Sequence, residues 1–186
     1  MKRFLVVGGV VVAVLLAVAL PVFEPWRAFT SSTIDEAAPT ASPTTSPATP
    51  GPTAGSTAGS SASPTPEAAP ADTVLATGTF VDAEHGTSGT ARILQLADGR
   101  RFLRIEDLAT SDGPDLHVWL SEARSGGGWG SYDDGREIRL GDLKATHGNQ
   151  NYPIPDDADL TGMRSVVIWC DRFNVAFGTA AVPGLA

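Results

Sequence analysis

The sequence predicts an all-β domain, an antiparallel β-sandwich or barrel, behind an N-terminal transmembrane helix and a disordered linker. Three observations lead there. Residues 4–23 carry no charge, and residues 37–71 are almost wholly Ala, Pro, Ser, Thr and Gly. From residue 77 onward, apolar residues alternate in short runs separated by turn signals. Only residues 72–186 hold enough apolar side chain to build a core. No window of a dozen residues there shows a 3.6-residue period, and short strands between frequent turns point to β architecture.

Residues 4–23, FLVVGGVVVAVLLAVALPVF, follow Lys2 and Arg3. As a helix they rise about 30 Å, the thickness of a bilayer hydrocarbon core. The positive-inside bias keeps residues 1–3 in the cytoplasm, so the run reads as a single-pass signal anchor in the cell membrane. Everything after it is then extracytoplasmic. The rival reading is a signal peptide cleaved at the small residues Ala17-Val18-Ala19. No cysteine lies near this segment, which excludes a lipoprotein anchor. Residues 24–36 form a short juxtamembrane segment, with Trp26 and Phe29 where interfacial aromatics are expected.

Residues 37–71 hold 8 of the 14 prolines and one charge. Such a segment buries too little apolar surface to offset chain ordering and is expected to stay disordered. At about 3.1 Å per residue in polyproline II it reaches at most roughly 110 Å, enough to lift a domain through a cell envelope.

Within residues 72–186, Thr90–Leu96 and Arg101–Leu108 flank Ala-Asp-Gly-Arg, a hairpin signal. Leu116, Val118 and Leu120 alternate with His117, Trp119 and Ser121, the mark of a strand with one buried face. Glu137–Leu140 alternates likewise. Ser165–Cys170 (SVVIWC) is a continuous apolar run suited to a central strand covered on both faces. Phe173, Val175 and Phe177 share one face of the strand expected after it.

This part carries 10 Lys/Arg against 17 Asp/Glu. An acidic surface does not displace the counterions of a nucleic acid, so nucleic-acid partners are excluded. There is no G-x-S-x-G, no H-E-x-x-H and no phosphate-loop spacing, which removes the common hydrolase and nucleotide-binding readings. No metal site is expected: His85, His117 and His147 are far apart in sequence and share no helical spacing. Asp156, Asp157 and Asp159 lack a calcium-loop frame and read as solvated turn carboxylates.

Cys170 stands out because it is the sole cysteine. A free thiol outside the cytoplasm risks oxidation, so it marks either a masked core residue or a reactive group. Alternation puts Cys170 with Val166 and Ile168, and Trp169 with Val167. If the first side is core, the thiol is masked.

Gly113-Pro114-Asp115-Leu116-His117-Val118-Trp119-Leu120-Ser121 is followed by Leu140-Gly141-Asp142-Leu143-Lys144 and Gly148-Asn149-Gln150-Asn151-Tyr152-Pro153-Ile154-Pro155. With Ser165–Phe173, these blocks resemble the DM-13 domain, the electron transfer DM-13 family, in its bacterial membrane-anchored form. The likeness covers roughly residues 74–182. It implies an all-β extracytoplasmic domain whose cysteine, here Cys170, acts in redox transfer as a bare thiol or as the holder of a prosthetic group such as haem. His85 or His117 would then supply a second ligand. The chain carries no cytochrome module of its own, so the role implies a separate envelope redox partner. The alternative is a non-catalytic envelope module that binds protein or glycan, with Trp119, Trp129, Tyr132 and Tyr152 as contacts. On either reading the chain is a redox or binding module rather than a stand-alone enzyme.

Overall fold

The computed structural model describes residues 17, 30–41, 71–83 and 85–185. The expected span at residues 4–23 and most of the linker lie outside these, apart from their described ends and Ala17. Among the described residues no helix is long and apolar enough to cross a membrane.

Nine strands follow one another among the described residues. They are β1 (Thr33–Asp35), β2 (Thr73–Asp82), β3 (Ser88–Gln95), β4 (Arg101–Ala109), β5 (Leu116–Ser121), β6 (Glu137–Asp142), β7 (His147–Ile154), β8 (Ser165–Cys170) and β9 (Val175–Ala181). They form one curled sheet in the order β1-β7-β4-β3-β2-β9-β8-β5-β6. The long strand β2 joins its two halves, pairing with β3 through Thr73–Thr79 and with β9 through Phe80–Asp82. Gly78 lies at that handover, where a Cβ would run into the Ala181 carbonyl. The two inner faces meet in one core. Ile93, Leu103, Ile105 and Tyr152 come from one half, and Val118, Leu120, Val166, Ile168 and Phe177 from the other. The curl makes the sheet a half-barrel, closed like a sandwich around this core.

The predicted hairpin is present: β3 and β4 pair from Gln95↔Arg101, and Gly99 turns the chain at φ 88°. Strand β8 is buried along its whole length between β5 and β9. Its inner face supplies Val166, Ile168 and Cys170 to the main core. Its outer face, Val167 and Trp169, is covered by Trp119 and by Tyr132 from the β5–β6 loop. That second layer explains how six consecutive apolar residues stay dry.

Three features depart from the sequence expectations. The sheet is mixed rather than antiparallel, because β1 runs parallel to β7. Strand β7 arises in a segment with little apolar periodicity: Gln150, Tyr152 and Ile154 point inward, and Pro153 lies beyond the residues that β1 pairs, where an outer N–H is not needed. Phe173 is not on a strand; it is 45% exposed in the β8–β9 turn, which Asn174 closes at φ 56°.

Strand β1 also places part of the 24–36 segment on the sheet of the 72–186 domain. The Arg104 guanidinium, 6% exposed, donates to the Glu36 carbonyl at 2.6 Å and to Asn151 Oδ1 at 3.0 Å. A chain that begins at residue 72 is therefore expected to fold with a weaker sheet than one beginning at residue 30. Losing a partner of a buried cation costs about 1–3 kcal/mol, read as a lower urea midpoint. Equal midpoints would show that the segment contributes no stability.

Candidate functional site

Cys170 is the last residue of β8, opposite Leu116 of β5 and Val175 of β9. Its side chain faces the inner core and has no accessible surface. The masked alternative is thus the one adopted in the folded chain. Its cover is thin in sequence terms: the β8–β9 turn follows directly, and Asp171 N–H bonds back to the Asp115 carbonyl at 3.0 Å. Burial pushes the thiol above its ordinary value. The N–H groups of Phe173, Arg172 and Asp115 lean toward the sulfur and pull the other way, while the Asp115 charge adds to the rise. At neutral pH the group is a protonated thiol.

The outer face of the same strand ends carries different chemistry. His117 lies across from Trp169, on the face opposite Cys170. Its Nε2 is 3.0 Å from Asp115 Oδ1 and 3.4 Å from Asp171 Oδ2, and its Nδ1 is 3.1 Å from Asp142 Oδ1. The Arg139 guanidinium closes the group, 2.8 Å from Asp171 Oδ2 and 4.3 Å from the centre of the Trp119 ring. One imidazole thus faces three carboxylates. Among the described residues, Asp115, His117 and Asp171 are the one set whose ligand atoms gather within 4.8 Å and could hold a cation. Asp115, Asp142, Asp171 and Arg139 were not singled out by spacing. The available signal was Asp115 two residues before His117 and Asp171 directly after Cys170, which the strand register brings together.

The other predicted residues scatter. The His85 ring lies flat on Phe177, centroids 3.7 Å apart, while its carbonyl accepts from Ser111 at 2.8 Å. His147 sits in β7 with Nδ1 2.9 Å from Thr146 Oγ1. The three histidines form no common group among the described residues.

Three of the four aromatic contacts are interior. Trp119 stacks on Trp169 at 4.8 Å. Tyr132 is fully buried, its hydroxyl accepting from Gly127 N–H at 2.8 Å. Tyr152 donates to Gln150 Oε1 at 2.6 Å and accepts from Lys144 N–H at 3.1 Å, and burial pushes its phenol far up. As a surface, Trp119, Tyr132 and Tyr152 are corrected to core, because all three are buried. Only Trp129, 53% exposed, keeps a surface role.

The residues do not fit haem. A macrocycle held by Cys170 needs an open slot beside the sulfur, and the sulfur is enclosed by Leu116, Val175 and the rest of the core. His117 lies on the other face of the sheet, and the His85 ring face is occupied by Phe177.

The sequence matches the family described as Electron transfer DM13 over residues 79–182, more than half of the chain. The chain belongs to the DM13 family. The matched DM13 region takes in β3 to β9, the end of β2 from Thr79, Cys170 and the His117 group. Neither the curated proteins nor the solved structures yield a match. The family description points to a redox role for this DM13 domain.

Proposed function

We propose that this chain is a membrane-anchored, extracytoplasmic redox module in which Cys170 is the reacting thiol. The observation that carries the reading is the placement of the sole cysteine of a DM13 electron-transfer domain. It sits at a strand end, neutral and enclosed, beneath one short turn. Burial protects the thiol from adventitious oxidation, and opening of the Asp171–Asn174 turn would present it. The anchor and location rest on the apolar run at residues 4–23 that follows Lys2 and Arg3.

A lone thiol exchanges with a disulfide of a separate envelope partner. Cys170 loses its proton, and its sulfur attacks one sulfur of the partner's disulfide. The partner's S–S bond breaks as the mixed disulfide forms. The departing sulfur leaves as a thiolate and takes up the proton. An external thiol then attacks the partner's sulfur in that mixed disulfide. The bond to Cys170 breaks, Cys170 leaves as a thiolate that takes up the external thiol's proton, and the oxidation passes on in the new disulfide.

Alkylation tests this directly. In the native chain, labelling of Cys170 by a small reagent is expected to be much slower than for a free thiol at neutral pH, and to accelerate as pH rises. Asn174→Val, which strains the left-handed turn, should accelerate it further. A thiol that labels only after global unfolding would overturn the reading. Stability carries the matching signature. The folded thiol holds its proton more tightly than the unfolded one, whose ordinary value is 9.0, so stability falls as pH rises above that point. Cys170→Ser should remove this alkaline decline.

One observation favours the binding alternative. Trp129 and Phe173, 53% and 45% exposed, sit on adjoining loops, joined by Ala176 N–H to the Trp129 carbonyl at 2.7 Å and Asn174 Nδ2 to Asp133 at 2.9 Å. Trp129→Ala is expected to shift stability by less than about 0.5 kcal/mol in a thermal melt. If it abolishes binding to envelope glycan or protein while Cys170 exchange continues, the contact surface is the function.

A further inference from the structure

Residues 30–36 precede the Pro-rich stretch in sequence yet lie, with its first residues 37–41, against the sheet that follows it. Strand β1 pairs with β7 through Thr33↔His147, Ile34↔Gly148 and Asp35↔Asn149. His147 N–H donates to the Ser32 carbonyl and Glu36 N–H to the Asn149 carbonyl, both at 2.9 Å. Thr146 Oγ1 accepts from Ser32 N–H at 2.9 Å and donates to the Ser32 carbonyl at 3.0 Å. The Glu36 carboxylate takes the Lys144 ammonium at 2.8 and 3.0 Å and Asn151 N–H at 2.6 Å.

The edge is shaped for this segment. Gly148 sits at φ 97°, and a Cβ there would collide with the Ile34 carbonyl. Arg104 is buried beneath the end of β1 and donates to the Glu36 carbonyl.

Where the chain leaves and returns is equally informative. Arg100 donates to the Thr40 carbonyl at 3.0 Å, and Ala97 N–H donates to Asp72 Oδ1 at 2.8 Å. Both donors belong to the β3–β4 turn, so residues 40 and 72 are held at the same corner of the sheet.

We infer that the outer edge of β7 is a docking surface for residues 30–41 of the same chain, so that residues 42–70 are a closed excursion from the β3–β4 corner. The linker therefore adds nothing to the separation between the domain and the residues before Thr30. If residues 4–23 span a membrane, the domain rides close to it instead of at the end of a long stalk.

Hydrogen exchange on the full chain in detergent tests the docking. The Glu36 and His147 amides are expected to be protected well beyond the rate of an unstructured peptide. Gly148→Val should remove that protection while the β8 and β9 amides keep theirs. The milder Glu36→Ala, which leaves the backbone path open, should reduce it in the same two amides. Amides of residues 32–37 exchanging at unstructured-peptide rates in the unaltered chain would overturn the inference, whatever the variants do.

Doubling residues 42–70 tests the consequence. Energy transfer between fluorophores at Arg27 and Trp129 is expected to be unchanged. A fall in transfer with linker length would overturn the closed excursion. So would a concentration-dependent dimer in light scattering that carries the protected segment in trans.

Discussion

Cys170→Ala is expected to cost more stability than Cys170→Ser, and both are expected to abolish disulfide exchange. The side chain is enclosed in the core, so truncation to Ala leaves a small void. It also leaves the N–H groups of Phe173, Arg172 and Asp115 facing a methyl group instead of an acceptor. Together these cost about 2–3 kcal/mol. Serine is smaller than cysteine but offers an oxygen to the same N–H groups, which holds its cost to about 1 kcal/mol. On apolar surroundings alone the order would be reversed, with the buried hydroxyl the worse choice. Urea unfolding separates the two cases. If function instead tracks stability, with Ser active and Ala impaired, Cys170 is a packing residue.

Trp169→Ala carries the largest expected loss of stability, about 3–5 kcal/mol, because a fully buried indole is removed from a site that cannot collapse. Its neighbours are held from both sides. Trp119 stacks on it at 4.8 Å, and Tyr132 of the β5–β6 loop completes the same cluster with Val167 and Ala176. Loss of the indole removes the seat of the loop as well as the contact. Denaturant unfolding should show a drop that is a large share of the 5–15 kcal/mol typical of a domain. It should also release the loop, detectable as rapid proteolysis between Glu122 and Arg136. A drop below about 1 kcal/mol would show that the outer cluster is not a second core.

The all-β class and the central strands were legible because their signals are local. Alternation at Leu116, Val118 and Leu120 and the unbroken SVVIWC run carry burial directly, and Ala-Asp-Gly-Arg marks a turn. Strand β7 was hidden because its inward residues include Gln150, which is satisfied by donating to the Ala145 carbonyl at 2.6 Å, a partner that only the fold supplies. Strand β1 was hidden because three residues have no period, and its docking depends on a glycine more than a hundred positions away.

The site divided in the same way. Alternation correctly separated Cys170 from Trp169, and the register then put Cys170 and His117 on opposite faces, which no spacing between residues 117 and 170 foretells. Exposure was the least legible property. Trp129 and Tyr132 lie three residues apart in one Gly-rich loop, and only Tyr132 is buried, in the cluster with Trp119 and Trp169.

The most direct measurement is the mass of the full chain after incubation with glutathione disulfide under native conditions. The redox account predicts one glutathione per chain, on the peptide that contains Cys170, formed without denaturant and removed by excess reduced glutathione. A native chain that takes up no glutathione, while the same chain in urea does, would contradict it.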